Sequence, residues 1–256
     1  MTIRLVDTHC HIQHEKYKSE IEIDEIICRA KDKMDFLIVS GANAIWNRQA
    51  IEISKKYPNF AYATAGVHPV YCKSISDVEF ESEFQYIKEN VNNIIGIGET
   101  GLDYHWDTDE NILNVQKQRF EKLIELSKIL KLPIVIHSRK AESDATDLLE
   151  SHDAKSVVMH CFTGKKDIMN RCIDLGYYIS FSTMIAKSKS LKKLAKACPI
   201  ENILLETDSP YLSPFEEINF PWNVEVALKK ISEVKNINEI ELSNQIYKNT
   251  LRAFKL

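Results

Sequence analysis

The chain has 256 residues, of which 44% are hydrophobic and 27% are charged, and its formal net charge is −4. That length is ordinary for one α/β barrel of about 250 residues, whereas the small negative charge gives no overall attraction for nucleic acid. No apolar stretch approaches the roughly 20 residues of a membrane span and the N-terminus shows no signal peptide, so we expect a cytoplasmic protein without membrane contact.

Short runs rich in β-branched residues predict eight strands. The predicted strands cover residues 3–8, 35–40, 60–66, 94–99, 132–137, 156–160, 177–182 and 202–206. Amphipathic stretches predict helices at 20–31, 43–57, 76–92, 115–131, 141–151, 165–175, 188–197, 223–234 and 238–253. Eight alternating units favour a closed (β/α)8 TIM barrel over an open doubly wound sheet. No linker or repeat divides the chain, so we expect a single domain over residues 1–256.

The first predicted strand leads into the motif DTHCH, which contains two histidines in an H-x-H pair, His9 and His11. Residues two apart on a strand project from the same face, so both imidazoles can reach one metal ion. Asp7 and Thr8 are available as hydrogen-bonding partners for the two rings. A chance pair on the surface is the alternative interpretation, and the position at a strand end argues against it.

Four further metal-binding side chains follow apolar runs. They are Glu99, His137, His160 and Asp208. The carboxyl ends of the strands in a parallel barrel meet at one face, which is where active sites of such barrels lie. A glutamate in a surface salt bridge, or a histidine hydrogen-bonded in a loop, would explain each residue singly. The repetition on several strands favours one shared site, and strand eight neighbours strand one in a barrel, which brings Asp208 near the H-x-H pair.

Four histidines and two carboxylates exceed the three or four protein ligands of a single catalytic ion. We therefore expect two divalent ions about 3.5–4 Å apart, with Glu99 between them because a carboxylate has two oxygens that can bind separate ions. Mixed nitrogen and oxygen donors suit zinc, manganese or magnesium, and the sequence does not choose among them. Such ions activate water for hydrolysis at phosphorus or at a carbonyl group.

The six cysteines contain no C-x-x-C pair, and we expect them to be reduced and mostly buried. Cys10 and Cys161 adjoin predicted ligands, so a thiolate ligand is an alternative use for them. Because side chains alternate along a strand, however, Cys10 should point away from His9 and His11.

At this stage the chain resembles the TatD-type metal-dependent deoxyribonucleases, within the wider superfamily of metal-dependent hydrolases. The resemblance covers nearly the whole chain, and its motifs are DTHCH at 7–11, GVHP at 66–69, GETGLDY at 98–104, QKQRF at 116–120, LPIVIHSRKA at 132–141, HCFTG at 160–164, ETDSPYL at 206–212 and NTLRAF at 249–254. It implies that His9 and His11 hold one ion and that His137 and His160 hold the other. It further implies that Glu99 bridges the ions, while Asp208 is a ligand that helps to activate water.

The resemblance also points to two residues near the substrate. His68 looks like the family's additional histidine near the scissile phosphate, with the capping of the turn before Pro69 as the alternative. Arg139 is suited to a phosphate contact because guanidinium matches phosphate geometry, and holding its own loop is the alternative. Glu216 and Glu217 depart from the family, in which a basic loop is common at this point.

The leading hypothesis is a phosphodiesterase that cleaves DNA, from an end or on single strands, without an obligate protein partner. Three aromatic residues, Phe215, Phe220 and Trp222, could stack on unpaired bases or, alternatively, pack their loop against the barrel. A second hypothesis is a metal-dependent hydrolase of small amides, lactones or esters. A third, a non-enzymatic scaffold, predicts missing ligands, whereas all six positions are filled.

Overall fold

The computed structural model describes residues 2–17 and 21–256. Its eight parallel strands follow one another in chain order around one sheet, as the TIM-barrel prediction requires. The strands are β1 Val6–Cys10, β2 Phe36–Ser40, β3 Ala61–Ala65, β4 Gly96–Asp103, β5 Ile134–Arg139, β6 Val157–Met159, β7 Tyr178–Ser182 and β8 Ile203–Glu206. Backbone hydrogen bonds then join β1 to the segment after β8: Asp208 N–H donates to the His9 carbonyl at 2.9 Å, and His11 N–H donates to the Ser209 carbonyl at 2.7 Å.

Helices lie between the strands, and two follow the last strand, as predicted. They are α1 Ile23–Lys31, α2 Ala44–Lys56, α3 Asp77–Glu89, α4 Glu110–Leu130, α5 Glu142–Ser151, α6 Lys166–Asp174, α7 Lys189–Ala197, α8 Val224–Lys235 and α9 Glu239–Phe254. Residue 20, at the start of the predicted helix 20–31, lies outside the described residues. Helix α4 begins five residues earlier than predicted because the Asp109 side chain accepts a hydrogen bond from Asn111 N–H and caps its start.

Three strands extend further toward the carboxyl face than predicted. β1 continues to Cys10, β4 to Asp103 and β5 to Arg139. The predicted strands stopped where apolar runs gave way to polar side chains. In the folded protein the polar residues continue the ladder because their side chains find partners at the mouth of the barrel. His9, Glu99 and His137 consequently lie within strands, which hold their backbones rigidly.

Apolar side chains from strands and helices form one buried cluster around the barrel wall, and it includes Ile38, Ile97, Ile136 and Ile179. Five of the six cysteines are buried, as predicted. Within the described part of the chain, no helix combines the length and hydropathy needed to cross a membrane.

Candidate metal centre

The six predicted ligands meet at the carboxyl ends of the strands, beside a cavity of about 390 Å³. Five of them line the cavity: His11, Glu99, His137, His160 and Asp208. His9 lies behind them and is buried. The convergence of side chains that are separated by almost 200 residues in the sequence is the central prediction of the sequence analysis, and the fold produces it.

Two irregularities in strand pairing shape this end of the barrel. They lie between the pairs Asp7–Leu37 and Cys10–Val39, and between the pairs Ile97–Ile134 and Thr100–Ile136. In each case β1 or β4 advances by three residues while the neighbouring strand advances by two. β1 and β4 therefore each contain one extra residue, as in a β-bulge. His9 and Glu99 lie inside these irregular segments, where a bulge can redirect a side chain.

Two glycines allow β4 to pass close to β5 beside Glu99. Gly98 and Gly101 have φ angles of +151° and +142°. A Cβ atom on Gly98 would come within 2.8 Å of the Val135 backbone, and one on Gly101 would come within 2.0 Å of the His137 carbonyl oxygen. Only glycine meets both requirements, a positive φ and close backbone contact, which explains the glycines that flank Glu99 in the sequence.

One carboxylate oxygen of Glu99, Oε2, faces the H-x-H pair. It lies 3.3 Å from His9 Nε2 and 3.7 Å from His11 Nε2. Asp208 Oδ1 completes this group, 3.4 Å from His11 Nε2 and 3.9 Å from His9 Nε2. We call the group formed by His9, His11, Asp208 and Glu99 Oε2 the Oε2 side of the site.

The other oxygen of Glu99, Oε1, faces three more histidines. Its distances are 2.9 Å to His137 Nδ1, 3.3 Å to His68 Nε2 and 3.5 Å to His160 Nε2. We call this group the Oε1 side. The two oxygens of Glu99 therefore point into two separate sets of potential donors, as expected for a bridging carboxylate.

Hydrogen bonds at the far nitrogen fix how several of these imidazoles face the site. His11 Nδ1 lies 2.9 Å from the Ser40 carbonyl oxygen, which only accepts, so Nδ1 carries the proton and Nε2 has the free lone pair. His160 Nδ1 lies 2.9 Å from Glu206 Oε2 and is held as a donor in the same way. Hydrogen bonds of this kind, at the nitrogen that faces away from the metal, orient histidine ligands in many proteins.

His137 lies between two carboxylates. Its Nδ1 faces Glu99 Oε1, and its Nε2 lies 2.9 Å from Asp103 Oδ2. The other oxygen of Asp103 accepts the backbone N–H groups of His105 and Trp106, at 2.8 and 2.9 Å. Asp103 thus holds the ring of His137 and the start of the next loop at once.

His68 presents a proton to the site instead of a lone pair. Its Nδ1 accepts the backbone N–H of Val70 at 3.2 Å, so in the neutral ring Nε2 carries the proton and faces Glu99 Oε1. One nitrogen of His68 caps the turn at Pro69, as one interpretation predicts, and the residue also lines the cavity, so its contact with a substrate stays a prediction.

The charges in the site shift the pKa values of its residues strongly. Burial raises the pKa of Glu99, but the surrounding histidines outweigh it and hold that pKa well below its ordinary value. Burial lowers the pKa of His160, yet Glu206 and Glu99 outweigh it and raise that pKa to about 10. Burial likewise opposes the ionisation of Asp103, while hydrogen bonds from His137 and the backbone lower its pKa to about 2.

The donor set fits divalent cations. Two combinations place one potential ligand atom per residue within 4.8 Å of the others, His9–His11–Glu99 and His160–Cys161–Asp208. The combination His68–Glu99–His137 meets the same distance, although His68 turns a proton toward it. Nitrogen lone pairs and carboxylate oxygens this close repel unless positive charge lies between them. Protons supply that charge in the metal-free protein, and the raised pKa of His160 reflects it. A metal ion would replace them.

One predicted contact beside the ligands, that of Asp7, is wrong. Asp7 does not reach either imidazole; its carboxylate accepts the backbone N–H of His9 and the N–H and hydroxyl of Thr207, because β8 lies directly beside β1. Cys10 points away from the ligands, as predicted, and its thiol contacts the Ile38 carbonyl. The Cys161 sulfur instead lies within 4.8 Å of ligand atoms of His160 and Asp208, and burial raises the pKa of its thiol.

Residues that line the rest of the cavity could contact a substrate. Arg139 is the one arginine or lysine among the described lining residues, and its Nη1 also lies 3.3 Å from Thr163 Oγ1, so it both borders the cavity and contacts its own surroundings. Four aromatic residues that sequence reasoning missed line the same cavity: Trp46, Tyr71, Trp106 and Tyr211. They lie in loops or at helix starts, where no periodic pattern marks them.

The aromatic residues suggested by the sequence are elsewhere. Phe220 and Trp222 stack in parallel with centroids 4.6 Å apart, and Phe220 also packs on the buried Tyr17 at 5.5 Å. Neither residue lines the cavity, so the packing alternative is the correct one for this pair. Phe215 is 57% exposed and lies outside the cavity lining too.

A (β/α)8 barrel with histidine and carboxylate donors at the carboxyl ends of its strands defines a metal-dependent hydrolase. The sequence model of the family described as TatD related DNase matches residues 6–255. The chain belongs to this family, which confirms the resemblance seen in its motifs.

Individual relatives agree with this assignment over nearly their whole length. A metal-dependent hydrolase of Bacillus subtilis, YabD, is 34% identical over 98% of this chain and 99% of its own. The human protein named deoxyribonuclease TATDN3 is 30% identical over 98% of this chain and 95% of its own. The crystal structure of YJJV, a TatD homologue from Escherichia coli K12, has a TM-score of 0.89 at 26% identity and covers all of both chains.

Proposed function

We propose that this protein is a deoxyribonuclease that uses two divalent metal ions, with magnesium, manganese and zinc as the candidates. The observation that carries the proposal is the division of the donors between the two oxygens of Glu99. Two ions near one carboxylate suit the displacement reactions of phosphate esters. Family membership supports DNA as the substrate, since a relative with 30% identity is named a deoxyribonuclease.

In the proposed site His9, His11 and Asp208 would hold one ion, His137 and His160 would hold the other, and Glu99 would contribute to both. When bound, the ions would supply Lewis acidity toward a phosphate oxygen and would lower the pKa of water from 15.7 toward 7. Asp208 is the proton acceptor. Burial opposes its ionisation, but a hydrogen bond from His11 and the other histidines outweigh burial and keep its pKa below the ordinary value.

His68 and Arg139 are the proposed substrate-binding residues. The Nε2 proton of His68 faces the cavity and can be donated to a phosphate oxygen, which stabilises negative charge as it develops. Arg139 brings a permanent positive charge to the lining. Bound cations would offset the acidic loop residues Glu216 and Glu217 by making the cavity locally positive.

The aromatic lining supports single strands or frayed ends as the form of DNA that is cleaved. Trp106 is 69% exposed at the cavity, and the His105 ring lies edge to face against its indole with centroids 4.9 Å apart. Bases stack on aromatic side chains only when they are unpaired.

We further propose that residues 1–256 form one domain and that the protein acts in the cytoplasm without an obligate partner. Limited proteolysis would check the domain, and cell fractionation would check the location.

A nuclease assay tests the proposal. Purified protein loaded with magnesium, manganese or zinc is offered single- and double-stranded DNA oligomers beside lactone, ester and amide panels. We expect metal-dependent release of nucleotides and a loss of about 10²–10⁴-fold in Asp208→Ala. Glu201→Gln, which changes an exposed carboxylate next to the amino end of β8, serves as the control. Turnover of carbonyl substrates alone would reverse the assignment.

A further inference from the structure

Beside the proposed metal ligands, His14 and Tyr211 form a hydrogen-bonded pair. The Tyr211 hydroxyl lies 2.6 Å from His14 Nε2. At the other side of the imidazole, the backbone N–H of Lys16 donates to His14 Nδ1 at 2.9 Å. Neither His14 nor Tyr211 belongs to the metal-binding groups described above.

The Lys16 contact determines where the protons lie. A backbone N–H only donates, so His14 Nδ1 must be the unprotonated nitrogen that accepts. In the neutral imidazole the proton then lies on Nε2, which donates to the Tyr211 oxygen. The hydroxyl proton of Tyr211 is therefore not used in this pair. Among the described residues, His14 is the only hydrogen-bonding partner of that hydroxyl, so its proton remains available to a ligand.

Tyr211 borders the cavity in which a substrate would bind. Tyr211 lines the cavity, three residues beyond Asp208, whereas His14 does not. The rings of His14 and Trp46 lie edge to face with centroids 5.0 Å apart, and the His14 and Tyr211 rings are similarly placed at 5.2 Å. The ammonium group of Lys16 lies 4.3 Å from the centroid of the Tyr211 ring, which adds positive charge at this edge.

A neutral hydrogen-bond donor would help to bind an anion in this cavity, because its lining has only one arginine or lysine among the described residues. Arg139 alone supplies such a charge among the described lining residues, and the loop after ETDSPYL carries the acidic Glu216 and Glu217. A hydroxyl with a free proton supplies a hydrogen bond to an anion without adding charge. Phosphate oxygens are strong acceptors of such bonds.

We infer that Tyr211 is a phosphate-binding residue, oriented by His14, and that its hydroxyl donates to an oxygen of the phosphate group in the cavity. Tyr211 contacts the substrate directly, and His14 is a positioning residue that keeps the tyrosine oxygen occupied as an acceptor. The inference rests on the proposed function, because it takes a phosphate ester as the substrate. Tyr211 would thus be a third phosphate-binding residue beside His68 and Arg139, and it would contribute a neutral hydrogen-bond donor.

The first test measures the affinity for inorganic phosphate by calorimetry on metal-saturated protein. Tyr211→Phe keeps the ring and removes the hydroxyl, and we expect about 10- to 100-fold weaker phosphate binding, as for the loss of a hydrogen bond to a charged group. Tyr62→Phe, on the outside of β3 against Phe36, is the matched control and should bind phosphate as the unaltered protein does. Equal phosphate affinity in Tyr211→Phe and the unaltered protein would overturn the inference.

The second test separates the positioning role of His14 from general damage. His14→Phe should weaken phosphate binding in the unaltered background and have no further effect in the Tyr211→Phe background, because it acts through the hydroxyl. His14→Gln, which retains an N–H donor, should restore part of the affinity. Nitrogen chemical shifts of His14 should show the proton on Nε2, and a proton on Nδ1 would overturn the positioning role.

These measurements also distinguish this inference from the proposed function. If the protein cleaves no DNA but Tyr211→Phe still weakens phosphate binding, the hydroxyl role stands and the choice of DNA fails. If DNA is cleaved and Tyr211→Phe leaves both phosphate affinity and kcat/KM unchanged, the deoxyribonuclease assignment stands and the role of Tyr211 fails.

Discussion

The two sides of Glu99 are built from similar residues but are held in different ways. On the Oε2 side, His11 donates to a backbone carbonyl, that of Ser40. On the Oε1 side, His137 and His160 each donate to a carboxylate. A carboxylate partner makes an imidazole more basic than a carbonyl does. The comparison indicates that the histidines on the Oε1 side hold protons more firmly when no metal is bound. Their hydrogen-bonding partners are side chains, which mutation can remove.

Removing the carboxylate that joins the two sides should have the largest effect. Glu99→Ala takes one oxygen from each donor group, so we expect the hydrolytic activity to fall at least about 10³-fold with loss of metal from both sides. Steady-state cleavage of a DNA oligomer measures the activity, and thermal unfolding shows that the variant is folded. Glu201→Gln should change neither. Substantial activity in Glu99→Ala would show that the two sides do not share this residue.

Asp103→Asn should affect the Oε1 side alone. Asp103 uses one oxygen for His137 and the other for two backbone N–H groups, and an asparagine has only one oxygen for both tasks. One contact must therefore fail, and we expect about 10- to 100-fold weaker binding of one ion, with the other unchanged. Competition with a metal chelator measures both affinities. Equal weakening of the two ions would contradict the separation into sides.

Metal binding should release protons, mainly from the Oε1 side. The pKa of His160 is about 10 because Glu206 and Glu99 outweigh the effect of burial, so below pH 10 a metal ion must displace its proton. The apparent affinity should fall as the pH is lowered from 9 to 7, by about tenfold per unit for each proton displaced.

Calorimetry in two buffers of different ionisation enthalpy counts the released protons. Glu206→Gln removes the main cause of the raised pKa and should flatten this dependence, whereas Glu201→Gln should not. A pH-independent affinity in the unaltered protein would show that His160 is neutral without metal.

The smallest effect is expected at the rim of the cavity. Trp106→Ala should raise KM for single-stranded oligomers about 5- to 100-fold, because each base–aromatic contact contributes about 1–3 kcal/mol, while kcat changes little. Trp222→Ala is the matched control, since that indole stacks on Phe220 away from the cavity. It should lower the midpoint of thermal unfolding and leave KM unchanged. The opposite pattern would assign base stacking to the loop at 213–223 instead.

The sequence predicts the barrel and the principal side chains of the site well, for physical reasons. Eight apolar runs at regular spacing leave few alternatives to a closed parallel sheet, and ligands at the ends of such runs must share one face. Strand alternation predicts that His9 and His11 share a face, although the pairing of β1 is irregular at His9 and the strand ends at Cys10. The exact ends of β1, β4 and β5 could not be predicted because polar side chains that are satisfied only in the folded site look like loop residues.

The supporting residues were harder to find. Glu206 directly follows the apolar run ILL at 203–205, and a carboxylate at the end of a buried strand is the one sequence signal for its role; the structure buries it completely. Asp103 lies in GETGLDY, where nothing local reveals its contact with His137 from another strand. The Ser40 carbonyl belongs to the backbone and carries no sequence signal. Trp46 and Trp106 reach the cavity through the path of the chain after β2 and β4, which periodicity does not describe.

The number of metal ions bound per chain tests the central claim most directly. Protein reconstituted with zinc or manganese and freed of excess metal by gel filtration is analysed by mass spectrometry for metal and protein together. If Glu99 lies between two donor groups, the unaltered protein should hold two ions per chain and Glu99→Ala should hold fewer than one. One ion per chain in the unaltered protein, or two in Glu99→Ala, would contradict the account.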